Sequence, residues 1–425
     1  MVGDGQAGGR TGGAPRSAIV VGAGVVGLST AWFLQEHGVE VTVVDRTGVA
    51  AGASWGNAGW LAPGLTIPLN EPATLRYGLR SMLRPAAPLH IPLTADPGLW
   101  RFLARFAAHC RKSAWTRAVQ AGLQLNADAL AAYDTMTAGG VRATTVQEPI
   151  IAAFRTSEQA GELLAELSRM REAGQPVEYD AVPERDLREL APLASREVTA
   201  GVRIDGQRRL DPGAFVNALA DSVAARGGRI DRMDVVDVRG HDGQGRARVR
   251  SREDTVLSAD AVVIATGAWI SRLLAPLGMR VPVRAGRGYS FTVPVDRPVP
   301  APVYLPAERV ACTPYRGALR VAGTMEFRGP DAPLDRARVD AIVASARPLL
   351  DGVRWDERHD LWVGPRPVTP DGRPLIGALP RPGVYVAGGH GMWGVTQGPA
   401  TGRLLAEQIV TGERPPALHL LERLR

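Results

Sequence analysis

A glycine-rich loop near the start of the chain has the residue types and spacing that bind a dinucleotide. It lies between a predicted strand and a predicted helix, and consists of Gly22, Gly24, Val25, Val26 and Gly27. The first glycine permits a tight turn, the second lets the backbone approach a pyrophosphate, and the third lets the helix pack on the strand. Asp45 ends the next predicted strand, where a carboxylate accepts hydrogen bonds from ribose hydroxyls. The loop alone does not distinguish FAD from NAD.

A second glycine motif follows the predicted strand at 384–387. Its residues and the start of the next helix are Gly389, His390, Gly391, Met392, Trp393, Gly394, Val395 and Thr396. No further strand with a terminal acid follows, so we interpret the motif as a helix N-terminus whose positive end faces an electron-rich group. A reduced flavin, with negative charge at N1 and the C2 carbonyl, is such a group. A glycine-rich turn between strand and helix, in which the glycines serve packing alone, remains the alternative. For His390, a positioning role and core packing both stay open.

Other segments suit close approach to a large flat cofactor. The loop after the Asp45 strand is rich in small residues, and the strand at 261–265 ends in a small-residue turn. The residues predicted to contact the cofactor here are Arg46, Ser54, Asn57, Ala58, Gly59, Val235, Val236, Thr266, Gly267 and Trp269. For Val235 and Val236, a plain strand without cofactor contact is equally compatible with the sequence.

The order of predicted strands and helices indicates an α/β fold of two domains. A Rossmann-like dinucleotide-binding domain would be assembled from the segments 17–60, 206–276 and 356–425. The segments 61–205 and 277–355 would form an α+β substrate-binding domain around a mixed sheet. The glycine-rich head, 1–16, is predicted to be disordered.

Composition narrows the classes of function. Of the 425 residues 22% are charged, and the net charge of +7 comes almost entirely from arginine scattered among acidic residues. This disfavours nucleic acid and leaves a peripheral membrane contact open. Two cysteines imply neither a disulfide framework nor a metal site. The uncharged stretch 17–34 is interrupted by glycines and followed by a strand, so we expect a cytoplasmic protein, with membrane association on the cytoplasmic face open.

Several longer motifs occur in a specific order between Ile19 and Val410. They are GAGVVGLSTAWFL, the NAG of 57–59, VRAGRGYSFTV, LRVAGTMEF, GPRPVTPDGRPLIG and GHGMWGVTQGPATGRLLAE. In this order they resemble the D-amino-acid oxidase superfamily, and within it the bacterial FAD-dependent D-amino-acid dehydrogenases. Met392 and Trp393 are a departure, because those dehydrogenases carry smaller residues there, and this alters the expected pocket.

The resemblance implies FAD as cofactor and a D-amino acid as substrate. Arg366 falls where the superfamily places the arginine that pairs with the substrate carboxylate, and Tyr289 is a candidate to reach the substrate. The implied reaction is hydride transfer from Cα to flavin N5, giving an imine that hydrolyses to a 2-oxo acid and ammonia. Related sarcosine oxidases attach flavin through a cysteine in the stretch occupied here by GPRPVTP, so we expect non-covalent FAD.

Two points stay open at this stage. The electron acceptor is a quinone or oxygen. The alternative activities are an amine or imino-acid oxidase or dehydrogenase of the glycine, sarcosine or D-proline type, and a non-catalytic FAD-binding protein. An NAD-dependent dehydrogenase is disfavoured, because neither the second glycine motif nor any other strand offers a nicotinamide site.

Overall fold

A computed structural model describes residues 13–71, 78, 87–92 and 94–421. Most of the glycine-rich head predicted to be disordered, residues 1–12, lies outside the described residues. The strands are β1 (Ser17–Val21), β2 (Glu40–Asp45), β3 (Trp60–Leu61), β4 (Leu89–His90), β5 (Val146–Gln147), β6 (Ile150–Phe154), β7 (Glu178–Val182), β8 (Ala200–Asp205), β9 (Arg208–Arg209), β10 (Arg229–Arg232), β11 (Val235–Arg239), β12 (Ala247–Ser251), β13 (Val256–Ala259), β14 (Ala261–Ile264), β15 (Arg284–Val293), β16 (Val303–Leu305), β17 (Val310–Tyr315), β18 (Ala318–Phe327), β19 (His359–Val368), β20 (Leu375–Ala378) and β21 (Val384–Gly388). The α-helices are α1 (Val25–Glu36), α2 (Pro97–His109), α3 (Lys112–Ala138), α4 (Ser157–Glu172), α5 (Glu184–Leu190), α6 (Pro212–Ala225), α7 (Ile270–Leu274), α8 (Arg336–Ala346) and α9 (Gly394–Thr411).

The first sheet carries the glycine-rich loops. Its six strands run in the order β10-β2-β1-β14-β21-β20, and all neighbours are parallel except β20 and β21. The central strands are continuous apolar runs because both faces are covered. Since parallel strands end at the same edge, the carboxyl ends of β1, β2, β14 and β21 bring both glycine motifs to one place.

Helices α1 and α9 pack against each other over the first sheet. Their contact is close because glycine stands where the two backbones meet. A Cβ added to Gly402 of α9 would lie 2.6 Å from the carbonyl carbon of Ser29 in α1. Both helices start at the edge where the strands end, so their packing fixes how far apart their N-termini lie.

The second sheet is mixed, as predicted. Its main path is β19-β15-β18-β17-β16-β6-β8-β7, with β4 added beside β18. Most pairs are antiparallel, while β16 with β6 and β18 with β4 are parallel. One face packs on α8 in a second apolar core. The other face contacts the loop after β2, where Ser290 donates a hydrogen bond to Gly56 O at 2.8 Å.

The predicted fold class is confirmed, with a Rossmann-like sheet built from separated segments and a mixed second sheet. We propose the two domains at the predicted boundaries with one correction. The segment 356–425 was assigned whole to the dinucleotide-binding domain, but β19 pairs with β15 of the second sheet from Val368 back to His359. Residues 356–368 therefore go with the substrate-binding domain.

Replacing Gly402 by Ala should weaken the contact between α1 and α9. The new methyl group would meet the Ser29 backbone, which cannot move without displacing α1, so the free energy of unfolding should fall by about 1–3 kcal/mol. Chemical denaturation measures the change. Gly161→Ala is the matched control, because a Cβ at this position of α4 meets nothing within 4 Å. It should gain about 0.5–1 kcal/mol from its higher helix propensity. Equal gains in both variants would contradict the close packing.

Candidate active site

A cleft opens at the carboxyl edge of the first sheet, and most of the residues predicted to bind the cofactor or substrate line it. These are Gly22, Gly24, Val25, Val26, Asp45, Arg46, Ser54, Asn57, Val235, Thr266, Gly267, Trp269, Arg366, His390, Gly391, Met392, Gly394 and Val395. The cleft thus gathers residues from both glycine motifs, from the loop after β2 and from β19. Since β19 belongs to the second sheet, both sheets contribute to its wall.

The remaining predicted residues do not line the cleft. They are Gly27, Ala58, Gly59, Val236, Gly389, Trp393, Thr396 and Tyr289. A Cβ at Gly27 would collide with the carbonyl oxygen of Gly22, so this glycine serves the packing of α1 on β1. Trp393 points away from the cleft and donates its indole N–H to Ile67 O at 3.1 Å.

Several residues of the cleft wall were not predicted from the sequence. They include Thr47, Gly52, Met233, Asp234, Arg272, Leu273, Pro365, Pro367 and Gly388. Met233 and Asp234 follow β10, the strand beside β2, and their position after a parallel strand could have predicted them. Arg272 lies in the short helix α7, which gives no comparable signal in the sequence.

Asp45 braces the first glycine loop. Its Oδ2 accepts the Ala23 N–H at 2.9 Å, and its Oδ1 accepts the N–H groups of Thr47 and Gly48 at 2.8 and 3.0 Å. Because each carboxylate oxygen has two lone pairs, Oδ2 retains one for a ribose hydroxyl at the cleft. Asp45 therefore combines the predicted ligand contact with a structural role that holds the loop in shape.

The start of α1 is only partly free for a diphosphate. The Val25 N–H, in the first turn of the helix, donates to the Ser54 hydroxyl at 3.1 Å. Val26 remains in the first turn, where N–H groups have no intrahelical acceptor. Gly24 faces the cleft without a side chain, as close approach of a pyrophosphate requires. The Thr266 hydroxyl, buried in the cleft wall, has no hydrogen-bond partner among the described residues. These features fit FAD.

Helix α9 presents a second bare N-terminus to the cleft. Its cap residue, Trp393, makes no side-chain capping bond, and the first intrahelical bond is Gln397 N–H to Trp393 O at 2.8 Å. The N–H groups of Gly394, Val395 and Thr396 therefore have no intrahelical acceptor. With 18 residues behind it, this end carries positive potential suited to the N1 and C2 carbonyl region of a flavin.

His390 is buried beside the start of α9. Its Nε2 lies 2.9 Å from the Thr401 hydroxyl, and burial lowers its pKa to about 4. The ring is therefore neutral near pH 7 and brings no charge to the cleft. This arrangement supports the predicted positioning role, because the bond to Thr401 ties the 389–394 loop to the helix that follows it.

Arg366 is a half-buried cation of the second sheet that lines the cleft. Its Nη1 donates to Thr324 O at 2.9 Å, and within the described ranges no carboxylate forms an ion pair with it. Burial lowers its pKa to about 10, which still leaves it cationic at pH 7. The guanidinium lies against Gly288, where any side chain would collide with it. An unpaired cation at the cleft is suited to bind a carboxylate.

Tyr289, predicted as a candidate to reach the substrate, lies away from the cleft. Its neighbour Gly288 faces Arg366, so Tyr289 points to the opposite face of β15. There the hydroxyl donates to Glu326 Oε2 at 2.7 Å, and the side chain is fully buried in the core under α8. Tyr289 therefore does not reach a substrate in the cleft. Tyr304 and Tyr315 do not line the cleft either.

An aspartate that follows a strand of the second sheet contacts three residues of the cleft wall. Asp331, in the loop between β18 and α8, pairs with Arg46 at 2.7 Å and Arg272 at 2.6 Å. It also accepts the indole N–H of Trp269 at 2.9 Å, and all three partners line the cleft. Burial alone would raise the pKa of Asp331, but the bonds from Arg46, Arg272 and Trp269 outweigh it and lower the pKa. The Asp331 carboxylate thus joins Arg46, Arg272 and Trp269 of the cleft wall through two ion pairs and one hydrogen bond.

Replacing Asp331 by Asn should speed release of the FAD that these residues fit. Removing the charge weakens two partly exposed ion pairs, so the dissociation rate constant should rise by about fivefold. The rise in FAD fluorescence after dilution measures it, and added salt should reduce the difference between variant and wild type. Asp356→Asn is the control, since Asp356 pairs with Arg347 on the surface and touches no cleft residue. An unchanged FAD dissociation rate constant in Asp331→Asn would show that the ion pairs of Asp331 do not retain the cofactor.

The fold resembles several solved flavoenzymes. Glycine oxidase from Geobacillus kaustophilus superposes with a TM-score of 0.71 at 22% identity, covering 94% of this chain and 95% of that chain. Iminodiacetate oxidase from Chelativorans superposes with a TM-score of 0.68 at 20% identity, covering 94% of this chain and 96% of that chain. At these identities the likeness establishes the fold.

Two relatives found by sequence share a higher identity with this chain than these solved structures do. D-amino acid dehydrogenase from Azorhizobium caulinodans is 30% identical over 93% of this chain and 96% of its own length. D-amino acid dehydrogenase from Cereibacter sphaeroides is 33% identical over 93% of this chain and 92% of its own length. The sequence profile described as FAD dependent oxidoreductase matches residues 17–408. These matches confirm the predicted resemblance and the cofactor, and the chain belongs to the family of FAD-dependent oxidoreductases.

Proposed function

We propose that the protein oxidatively deaminates a D-amino acid, using non-covalent FAD. The observation that carries the proposal is the unpaired Arg366 guanidinium at the cofactor cleft. The sequence relatives named D-amino acid dehydrogenase support the choice of substrate class. Neither Cys110 nor Cys312 lines the cleft, which supports a non-covalent cofactor.

Each part of the cleft has a separate task in this reaction. The planar fork of Arg366 grips the substrate carboxylate and so fixes the α-carbon and its hydrogen. Bound FAD supplies the hydride acceptor, N5 of its ring system. The N-terminus of α9 stabilises negative charge at the cleft, and neutral His390 keeps the 389–394 loop in place. The imine product then hydrolyses in water to a 2-oxo acid and ammonia.

A quinone at a membrane surface is the electron acceptor that we propose. The name dehydrogenase among the relatives supports an acceptor other than oxygen. Helix α2 supports the surface contact, because it exposes Trp100, at 39%, together with Arg101 and Arg105. Exposed indole and guanidinium groups suit the interface of an anionic membrane. Across the ranges described, no helix is long and apolar enough to cross a membrane.

Replacing Arg366 by Ala should lower kcat/KM for a D-amino acid by about 3 kcal/mol, roughly 100-fold, through loss of a bidentate charge-assisted contact. Lysine should not restore it fully, because an ammonium group does not reproduce the planar fork. Steady-state kinetics on protein of known FAD content measure both effects. Arg347→Ala, a surface change away from the cleft, is the control. If Arg366→Ala keeps its efficiency but loses FAD, then Arg366 is structural.

The substrate class and acceptor can be tested together without oxygen. The flavin absorbance should bleach on mixing with a D-amino acid, and much less with the L-enantiomer, glycine or sarcosine. Fixed carboxylate and N5 positions present the Cα–H of only one enantiomer. The reduced protein should then reoxidise quickly with quinone in anionic vesicles and slowly with aerated buffer. Bleaching by L-amino acids or glycine would contradict the substrate, and fast peroxide formation in air would make the protein an oxidase.

A further inference from the structure

Helix α9 contains a proline close to its start. Pro399 is the sixth residue of the helix, so it has no N–H to donate to the carbonyl four residues earlier. That carbonyl belongs to Val395, which lines the cleft. The proline ring also crowds the same carbonyl, which pushes it out of the regular helical ladder. Without another donor, a buried backbone acceptor would be left unsatisfied at the flavin-facing end of the helix.

A tyrosine from another helix supplies the missing donor. The Tyr133 hydroxyl, in α3, donates to Val395 O at 2.6 Å. Tyr133 is completely buried, and its ring centroid lies 4.8 Å from that of Phe215. Burial raises the pKa of this phenol well above its usual value, so the hydroxyl keeps its proton and stays a donor. The two helices are thus joined at the place where α9 lacks its own hydrogen bond.

The bond acts on the peptide unit between Val395, which lines the cleft, and Thr396. Val395 C=O and Thr396 N–H belong to the same planar unit, so a donor at the oxygen fixes where the N–H points. A donor at the oxygen also polarises the N–H at the other end. The Thr396 side chain anchors this unit from the other side by donating to Trp60 O at 3.0 Å.

We propose that Tyr133 is a positioning residue for the flavin: it replaces the hydrogen bond that Pro399 removes and thereby orients and strengthens the N-terminal N–H groups of α9. A second link supports the same geometry, since Gln397 in the first turns of α9 donates to Asn126 of α3 at 2.8 Å. The proposal rests on FAD lying in this cleft and not on the identity of the amine substrate. Its test therefore uses a probe that needs no substrate.

Sulfite is a suitable probe of the flavin. Its sulfur lone pair forms a bond to N5, and the displaced electron pair places negative charge on N1 and the C2 carbonyl. Donors at the start of α9 stabilise this charge, so Tyr133→Phe should weaken sulfite binding by about tenfold. For a two-electron couple, the same factor is a fall of about 30 mV in the midpoint potential. Absorbance titration and a redox-dye equilibrium measure the two quantities on the holoprotein.

Pro399→Ala provides the decisive rescue. It restores an N–H in reach of Val395 O, so adding Tyr133→Phe to the Pro399→Ala variant should change sulfite affinity little. If Tyr133→Phe costs the same sulfite affinity with and without Pro399→Ala, the proposal is overturned. If Tyr133→Phe does not fold alone, the Pro399→Ala variant is compared with the double variant. Matching sulfite affinities then support the proposal, and a difference of about tenfold contradicts it.

Tyr289→Phe is the control for loss of a buried phenol. It removes a 2.7 Å bond to Glu326 on the far face of the second sheet, away from the cleft. Thermal stability should fall in both phenylalanine variants, because each leaves a buried acceptor without its donor. Sulfite affinity and midpoint potential should change only in Tyr133→Phe. A loss of stability in Tyr133→Phe with unchanged sulfite affinity and potential would assign Tyr133 a purely structural role.

Discussion

The close packing of α1 on α9 is the constraint on which the cleft depends. Gly398 and Gly402 lie one turn apart on α9, and the second of them allows backbone contact with Ser29. Because both helices begin at the carboxyl edge of the first sheet, their separation determines where the two N-termini point. A dinucleotide cofactor carries negative charge at two distant places, the diphosphate and, after reduction, the flavin ring. The helix pair provides one positive end for each.

Two arginines on neighbouring strands, one fully buried and one half-buried, lie on opposite faces of the second sheet. Arg287, on the face under α8, lies 3.6 Å from Glu326 and donates to Pro333 O. Arg366 faces the cleft and has only the Thr324 carbonyl. A buried charge with a partner belongs to the fold, whereas one without a partner is costly unless a ligand completes it. The pleat of the sheet keeps these two environments on opposite faces.

Local patterns in the sequence predicted the parts of the site that depend on neighbouring residues. The Gly22–Gly27 loop, Asp45 and the helix start after Gly394 each follow from a strand, a turn and a helix in succession. Tyr289 was misplaced because both faces of β15 are buried, so its sequence does not reveal which face lies toward the cleft. Asp331 could not be predicted, since no periodic signal connects a surface loop with an arginine 285 positions earlier.

The first sheet also has a consequence for the order in which the protein acquires its cofactor during synthesis. Strand β1 leaves the ribosome early, but its neighbour β14 pairs with β21, and α9 covers the pair. About 370 residues separate the glycine loop at 22–27 from the start of α9 at Gly394. The nascent chain therefore displays a phosphate-binding loop long before it can enclose a flavin. A chain that ends before α9 therefore lacks the helix that packs against the apolar residues of α1.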